Sequence, residues 1–380
     1  VTVRRSTLRR AARVSLASTA AAERERSALL PHLTHRIAPW FAFLLHMRDR
    51  EDMFRIGASS FLRNYSDDDD DFERKIKTLP PTVVGEALFG LSTMRGELIA
   101  VLRSPDQMIG GEAIAAVRDA FQLAVGRGAK VIGLGALTSP VTNGGLMLLA
   151  DVPRGVTLTN GNAYTAIVVR DNVDQAAAFL GIGSRARVAV IGCTGSVGCA
   201  TTQLLAMRGY PLLLIGRQRG HVAQICADVA GAEISEDLAD AARADIVIVL
   251  ASNARLAPRH VRPESVVIDC CHPASIPRSL YPAFFAQTSP IVEGGFVQIP
   301  AYRSTYDAGT PTPFDTFACL AETYLFAREG IREHSVGRPS VELAEQMERA
   351  AHRHGIAIRS LELGWTLEPT ATRSRAAASS

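Results

Sequence analysis

Glycines at positions 192, 195 and 198, inside the stretch RVAVIGCTGSVGCATTQLLAM, have the type and spacing to seat a dinucleotide. They follow the apolar run Val188–Ile191 and precede a helical apolar pattern through Leu204, Leu205 and Met207. Glycine at such a strand-to-helix turn permits positive φ, lets the backbone approach a pyrophosphate, and lets the helix pack close to the strand. The free N–H groups of the helix start then meet the anion. On this reading Gly192, Thr194, Gly195, Ser196, Val197 and Gly198 form the cofactor-binding turn.

A second apolar run, Leu212–Ile215, ends in Gly216, Arg217, Gln218 and Arg219. A site for NAD places an Asp or Glu on the ribose 2′-hydroxyl roughly 20 residues after the first glycine. No acid stands there, and a guanidinium suits a 2′-phosphate, so Arg217 and Arg219 favour NADPH over NADH. A glycine triplet alone is a weak signal. The ordered succession of strand, turn, helix, second strand and arginine carries the reading.

The other residue with chemical reach is Cys319, in TPFDTFACLAETYLFAREG. Thr312, Pro313 and Asp315 read as a helix start and Gly330 as its stop. Cys319 then falls in the second turn, with Glu322 one turn on and on the same side. A cysteine among Phe, Ala and Leu is most often a small buried hydrophobe. A nucleophilic thiolate needs a lowered pKa and access to substrate, and spacing shows neither.

The 380-residue chain is 47% hydrophobic and 21% charged, the balance of a globular protein with room for two cores. A net charge of +3 gives no argument for nucleic acid as a partner. The six cysteines show neither a secreted-type spacing nor a CxxC pair, which fits reduced thiols in a cytoplasmic protein. Cys270, Cys271 and His272 are adjacent, which is poor ligand spacing, and no metal is expected. No stretch approaches the ~18 uninterrupted apolar residues of a transmembrane span.

The elements that must position these residues follow from the rest of the chain. Residues 1–36 are basic, with no acid before Glu23, superficially like an organellar transit peptide, and are expected to form a disordered or loosely helical arm. Residues 37–47 are apolar core, and the acidic block at 67–71 is a solvated loop. Strands are expected at 82–91, 97–102, 130–134 and 156–159, with an amphipathic helix at 111–127 that buries Ile114, Val117, Phe121 and Val125. The 130–134 strand runs into a glycine- and hydroxyl-rich loop at 135–140, a ligand-facing edge. Asn160 or Asn162 caps a helix that leads into the nucleotide strand, so the start of that helix faces the nicotinamide. Further strands at 244–250 and 265–269 end in polar residues at the same rim.

The fold expected is therefore α/β: a Rossmann-type doubly wound parallel sheet at 187–300, preceded by an N-terminal α/β substrate domain at 37–160 and a connecting helix at 161–186. C-terminal helices carrying Cys319 occupy 301–365, one of them at 341–353, and a polar tail at 366–380 frays.

Four segments together resemble the cyanobacterial-type long-chain acyl-acyl-carrier-protein reductases, a family that forms fatty aldehydes. Its GGFTSI-like segment matches residues 135–140, its TTGNTHTA-like segment residues 159–166, its GATGDIG turn Gly192 to Gly198, and its CFAEA segment Cys319-Leu320-Ala321-Glu322-Thr323. The resemblance runs from about Ala42 to about Gly355 with the motifs in order. It implies that Cys319 accepts the acyl group from acyl-carrier protein or acyl-CoA, that NADPH reduces the acyl-enzyme, and that an aldehyde-consuming enzyme takes the product. Thr138, Ser139, Asn162 and Thr165 are then the candidates on the substrate and nicotinamide side, the last three or backbone N–H groups for the oxyanion. The 111–127 helix and the Cys319 helix would line an acyl tunnel, with arginines at its mouth steering the acidic carrier. The chain departs from the family at Cys193 and Ser196, where the family has Ala and Asp, and at Asp269-Cys270-Cys271-His272-Pro273, where it has a DGGYPKN-like segment.

Two other readings use the same glycine turn. One is an NADP-dependent alcohol, quinate or amino-acid dehydrogenase in which Cys319 is passive. The other is a non-catalytic NADPH-binding sensor or scaffold.

Overall fold

The computed structural model describes residues 39–48, 71, 74–75, 78–90, 94–109 and 111–361. The basic arm, the acidic block apart from Asp71, and the tail from 366 lie outside the described residues.

The apolar run at 37–47 supplies strand β1 (Phe41–His46), buried along its whole length. Its parallel neighbours are β3 (Arg95–Val101) and β4 (Val131–Leu134), and β5 (Thr157–Thr159) pairs parallel with β4. On the other side β2 (Thr82–Phe89) runs antiparallel to β3, and β13 (Tyr302–Ser304) antiparallel to β2. The result is a six-stranded sheet of order β13-β2-β3-β1-β4-β5.

A strand covered on both faces reads as a continuous apolar run, and FAFLLH is one. Ala42 and Leu44 pack against helix α1 (Gly111–Gly126), while Phe41, Phe43 and Leu45 face the opposite way into a second core. The buried stripe of α1 is Ala113, Ala116, Val117, Ala120, Phe121 and Ala124, whereas Ile114 and Val125 are only half-buried. Small residues bring this helix close to the sheet, which shifts its inner face off the bulky side chains that the pattern favours.

After β4 comes a single helical turn, α2 (Thr138–Val141), and after β5 the long helix α3 (Asn162–Phe179). Residues 163–168 of α3 belong to the core of the first sheet and residues 169–177 to that of the second. This helix ties the two sheets to one another.

The second sheet holds β6 (Val188–Ile191), β7 (Leu212–Ile215), β8 (Glu233–Ser235), β9 (Ile246–Val249), β10 (Val266–Asp269) and β11 (Ile291–Glu293), all parallel, in the order β8-β7-β6-β9-β10-β11. Counted from β6, that is the 3-2-1-4-5-6 order of a doubly wound dinucleotide fold, with its switch point between β6 and β9. Helix α4 (Ser196–Met207) follows β6, a shorter α5 (Arg219–Ile225) follows β7, and α6 (Tyr281–Ala286) precedes β11. The fold is α/β with a Rossmann-type sheet.

A small antiparallel sheet of order β14-β12-β15 joins β12 (Phe296–Gln298), β14 (Asp315–Phe317) and β15 (Ala357–Ile358). Residues 312–317, expected to open a helix, do not. The Asp315 carboxylate accepts from Thr312 N–H at 2.9 Å, and β14 pairs with β12. Helix α7 (Ala318–Glu329) starts after it, and Gly330 at φ +66° ends it. Helix α8 (Val341–Arg353) begins at Ser340, whose hydroxyl accepts from Leu343 N–H. No helix among the described residues is long and apolar enough to cross a membrane.

Candidate active site

The C-terminal ends of the strands in both large sheets open onto one cavity of about 940 Å³. This is the rim where open parallel sheets bind ligands. The loops after β4, β5, β6, β7, β9 and β10 all contribute to its wall.

On the side of the second sheet the wall includes Gly192, Thr194, Gly195 and Val197. Gly192 has φ +92°, a conformation that favours glycine. A Cβ on Gly198 would overlap the Gly192 carbonyl oxygen, so this glycine sets the close approach of α4 to β6 and does not itself reach the cavity. The first-turn N–H groups of α4 lack intrahelical partners and are at the disposal of an anion there. Ser196 does not line the cavity. Its hydroxyl donates to the Gly337 carbonyl at 2.5 Å and accepts from Asn162 Nδ2 at 2.8 Å.

The two arginines expected at a 2′-phosphate separate. Arg217 lines the cavity beside Gly216, whereas the Arg219 guanidinium turns back to the Ile234 carbonyl at 2.6 Å and does not line it. Arg219 opens α5, and its N–H is already held by the Glu236 carboxylate at 2.6 Å.

On the other side lies Cys319, the second residue of α7 and so in its first turn, not its second. The displacement follows from β14 taking the residues that were expected to be helical. The residue is half-buried, packed against the first core on one side and lining the cavity on the other. Burial pushes the thiol up to about 12, the backbone N–H groups of Leu320 and Ala136 pull it down, and the Glu322 charge pushes it further up. Ala136 sits at φ +48°, an uncommon conformation for a residue with a side chain, and it turns its N–H toward the sulfur. Composition gives no sign of this donor.

Glycines let α7 come this close. A Cβ on Gly161, which has φ +73°, would overlap Cβ of Cys319, and one on Gly133 would overlap the Thr323 hydroxyl. Glu322 faces away from the cavity. Its buried carboxylate accepts from the Thr159 hydroxyl at 2.5 Å, Tyr164 N–H at 2.7 Å and the Ser335 hydroxyl at 3.2 Å, and so caps the start of α3 from another helix. Burial raises its pKa against those hydrogen bonds.

The remaining candidates divide in the same way. Ser139, Asn162 and Thr165 line the cavity. The Thr165 hydroxyl donates to the Gly161 carbonyl at 2.7 Å, leaving its oxygen as an acceptor only. Thr138 is fully buried and donates to the Gly135 carbonyl at 2.7 Å, so it shapes the loop instead of facing a ligand. Asn160 acts as the turn residue, its Oδ1 accepting from Asn162 N–H and its Nδ2 donating to the carbonyls of Gly144 and Gly337. Beside the thiol, Phe43, Leu45, Leu98, Tyr302, Tyr306 and Leu320 form an apolar recess. Strand β1 provides Phe43 and Leu45, β3 Leu98, β13 Tyr302 and the thiol's own helix Leu320, whereas no residue of α1 lines the cavity.

The residues sequence reasoning missed are at the end of β10. The Asp269 carboxylate, fully buried, accepts from the N–H groups of Cys271, Ser275 and Ile276 at 3.0, 2.8 and 2.9 Å and so pins the loop that carries His272 into the cavity wall. The polar strand end on the ligand rim and the departure from the family at 269–273 marked the place, but not which residues act there.

No family model matches the chain. It is similar to a long-chain acyl-[acyl-carrier-protein] reductase of Synechococcus elongatus, with 28% identity over 298 residues, covering 73% of this chain and 87% of that protein. Among solved structures, shikimate dehydrogenase from Aquifex aeolicus aligns over 82% of this chain and 98% of its own, at 10% identity and a TM-score of 0.40. An alcohol dehydrogenase from Pyrobaculum aerophilum aligns over 35% of this chain and 39% of its own, at 20% identity and a TM-score of 0.28. The strand order described above, not these overlaps, defines the fold.

Proposed function

We propose that the chain is an oxidoreductase that reduces a long-chain acyl thioester, carried on acyl-carrier protein or CoA, to the aldehyde at the expense of NADPH, through an acyl-enzyme on Cys319. The observation that carries the reading is that a thiol in a helix's first turn and a glycine turn of dinucleotide type open into one cavity, with an apolar recess beside the sulfur. The similarity to a reductase acting on acyl-carrier-protein thioesters supports the substrate class.

The residues fit the cofactor. The turn at Gly192 to Gly195 leaves backbone room and the first turn of α4 offers N–H groups for a pyrophosphate, while Arg217 supplies the charge for a 2′-phosphate. When bound, NADPH supplies the reducing equivalent. Cys319 as thiolate attacks the thioester carbonyl, which divides one hard displacement into two easier ones. The N–H groups of Ala136 and Leu320, already aimed at the sulfur, favour negative charge there. The Ser139 hydroxyl lines the cavity on the side of the first sheet with no hydrogen bond among the described residues, and it is the side-chain donor assigned to the carbonyl oxygen.

The test is mass spectrometry of the protein incubated with acyl-CoA or acyl-carrier-protein thioester and no NADPH. An acyl mass on the Cys319 peptide is the expected result. Tight NADPH binding with no adduct on that peptide would overturn the reading.

A further inference from the structure

His272 sits in the wall of the same cavity, its ring packed against both Phe296 at 5.0 Å and Phe317 at 4.8 Å, which also touch each other. Phe317 is the residue just before α7, two positions from Cys319. The His272 Nε2 lies 3.2 Å from the Gly294 carbonyl, and the next carbonyl, that of Gly295, accepts from Ala318 N–H at 3.0 Å. Consecutive backbone oxygens therefore hold the imidazole and the start of the thiol's helix. A carbonyl only accepts, so Nε2 carries the hydrogen and Nδ1 keeps its lone pair. Nδ1 has no hydrogen-bond partner among the described residues, and His272 lines the cavity.

The thiol needs such a group. Burial holds Cys319 protonated at neutral pH, and the acid nearest in sequence, Glu322, is committed to Thr159, Tyr164 and Ser335. The geometry points to His272 as the general base that takes the Cys319 proton during acylation and returns it to the leaving thiol. This rests on the acyl-enzyme reading above. In the step, the S–H bond of Cys319 breaks and its proton passes to Nδ1 as the new C–S bond forms. The old C–S bond then breaks, and the proton moves from Nδ1 to the departing sulfur. One thioester and one thiol become another thioester and another thiol, with no oxidant or reductant consumed.

Burial lowers the His272 pKa from its ordinary value, keeping the ring neutral; Glu293 of β11 and Asp269 of β10 favour the charged form, and Arg48 opposes it. Acylation should therefore fall off only below the usual histidine range.

The experiment measures the rate of acyl transfer from acyl-CoA to Cys319 without NADPH, by quench and mass spectrometry, in the wild-type protein, His272→Gln and His272→Ala. Glutamine keeps an N–H for Gly294 and cannot take a proton. Both variants should bind NADPH as the wild type does, acylate about 10²- to 10⁴-fold more slowly, and lose the acid limb of the pH profile. Added imidazole should restore part of the rate in His272→Ala alone. Acylation of His272→Gln within about threefold of wild type, or with the acid limb intact, overturns the assignment while the acyl-enzyme stands. A wild-type protein that acquires no acyl group overturns both.

Discussion

The cavity is built where three helices begin, and the starts of α4 and α3 are used in opposite ways. The first turn of α4 follows Gly192 and Gly195 and has no carboxylate from the described residues upon it, so its N–H groups and partial positive charge are available to an incoming anion. The first turn of α3 is already occupied, because Glu322 reaches over from α7 and accepts from Tyr164 N–H. One helix start serves a ligand and the other serves the fold. A motif built from neighbouring residues announces the first; contacts between residues far apart in sequence create the second.

Substitution at the thiol should have the largest effect. Cys319→Ala is expected to lower aldehyde formation by about 10³-fold or more while leaving the NADPH dissociation constant, read by nicotinamide fluorescence, unchanged. The unsubstituted thiol should also report its setting through pH. With its pKa pushed up to about 12, Cys319 in the cofactor-free protein is protonated at neutral pH, so its alkylation by iodoacetamide should keep rising beyond pH 9 without levelling there. Because folding raises this pKa, its contribution to stability is full below the ordinary thiol value and is lost as pH climbs toward 12.

The two helix starts should then separate in a matched pair of glycine variants. Gly161→Ala forces a Cβ against Cys319 at positive φ and should slow acylation by about 10²-fold with cofactor affinity intact. Gly198→Ala drives a Cβ into the Gly192 carbonyl and should weaken NADPH binding by about 2–3 kcal/mol, measured by calorimetry. If both variants lose cofactor and acylation alike, the division between the two starts is wrong.

Glu322→Ala orphans two buried hydroxyls and a helix N–H and should cost about 3 kcal/mol in denaturant unfolding, with Glu322→Gln milder. The smallest effects belong to the arginines. Arg217→Ala should erode the preference for NADPH over NADH by about tenfold, while Arg219→Ala, whose side chain is spent on Ile234, should change it by less than about threefold.

Four strands of the Rossmann-type sheet, β6, β7, β9 and β10, were legible because each is a short apolar run followed by a glycine or polar end, the mark of parallel strands buried on both faces; β8 (Glu233–Ser235) and β11 (Ile291–Glu293), three residues each and part polar at the sheet's edges, leave no such mark. The glycine turn was legible for the same local reason. The start of α7 was not. Thr312-Pro313 and Asp315 mimic a helix start, but pairing of Phe317 with Phe296 and of Asp315 with Gln298 overrides the local preference. Thr138 and Arg219 looked like ligand residues by type, yet each hydrogen-bonds a nearby carbonyl, which no spacing reveals. Ala136 and His272 fall in segments marked only as ligand-facing strand ends, 135–140 and 269–273; their individual roles were not legible, since a positive φ and an imidazole lone pair are properties of the folded chain.

The Gly337 carbonyl, between α7 and α8, receives the Ser196 hydroxyl from one sheet's turn and the Asn160 amide from the other's. A single oxygen thus fastens both walls of the cleft like a rivet. Swinging the walls apart as jaws would break at least one of these bonds, at about 0.5–1.5 kcal/mol. Opening the cleft as a hinge thus carries a cost that a groove without this shared oxygen would not have.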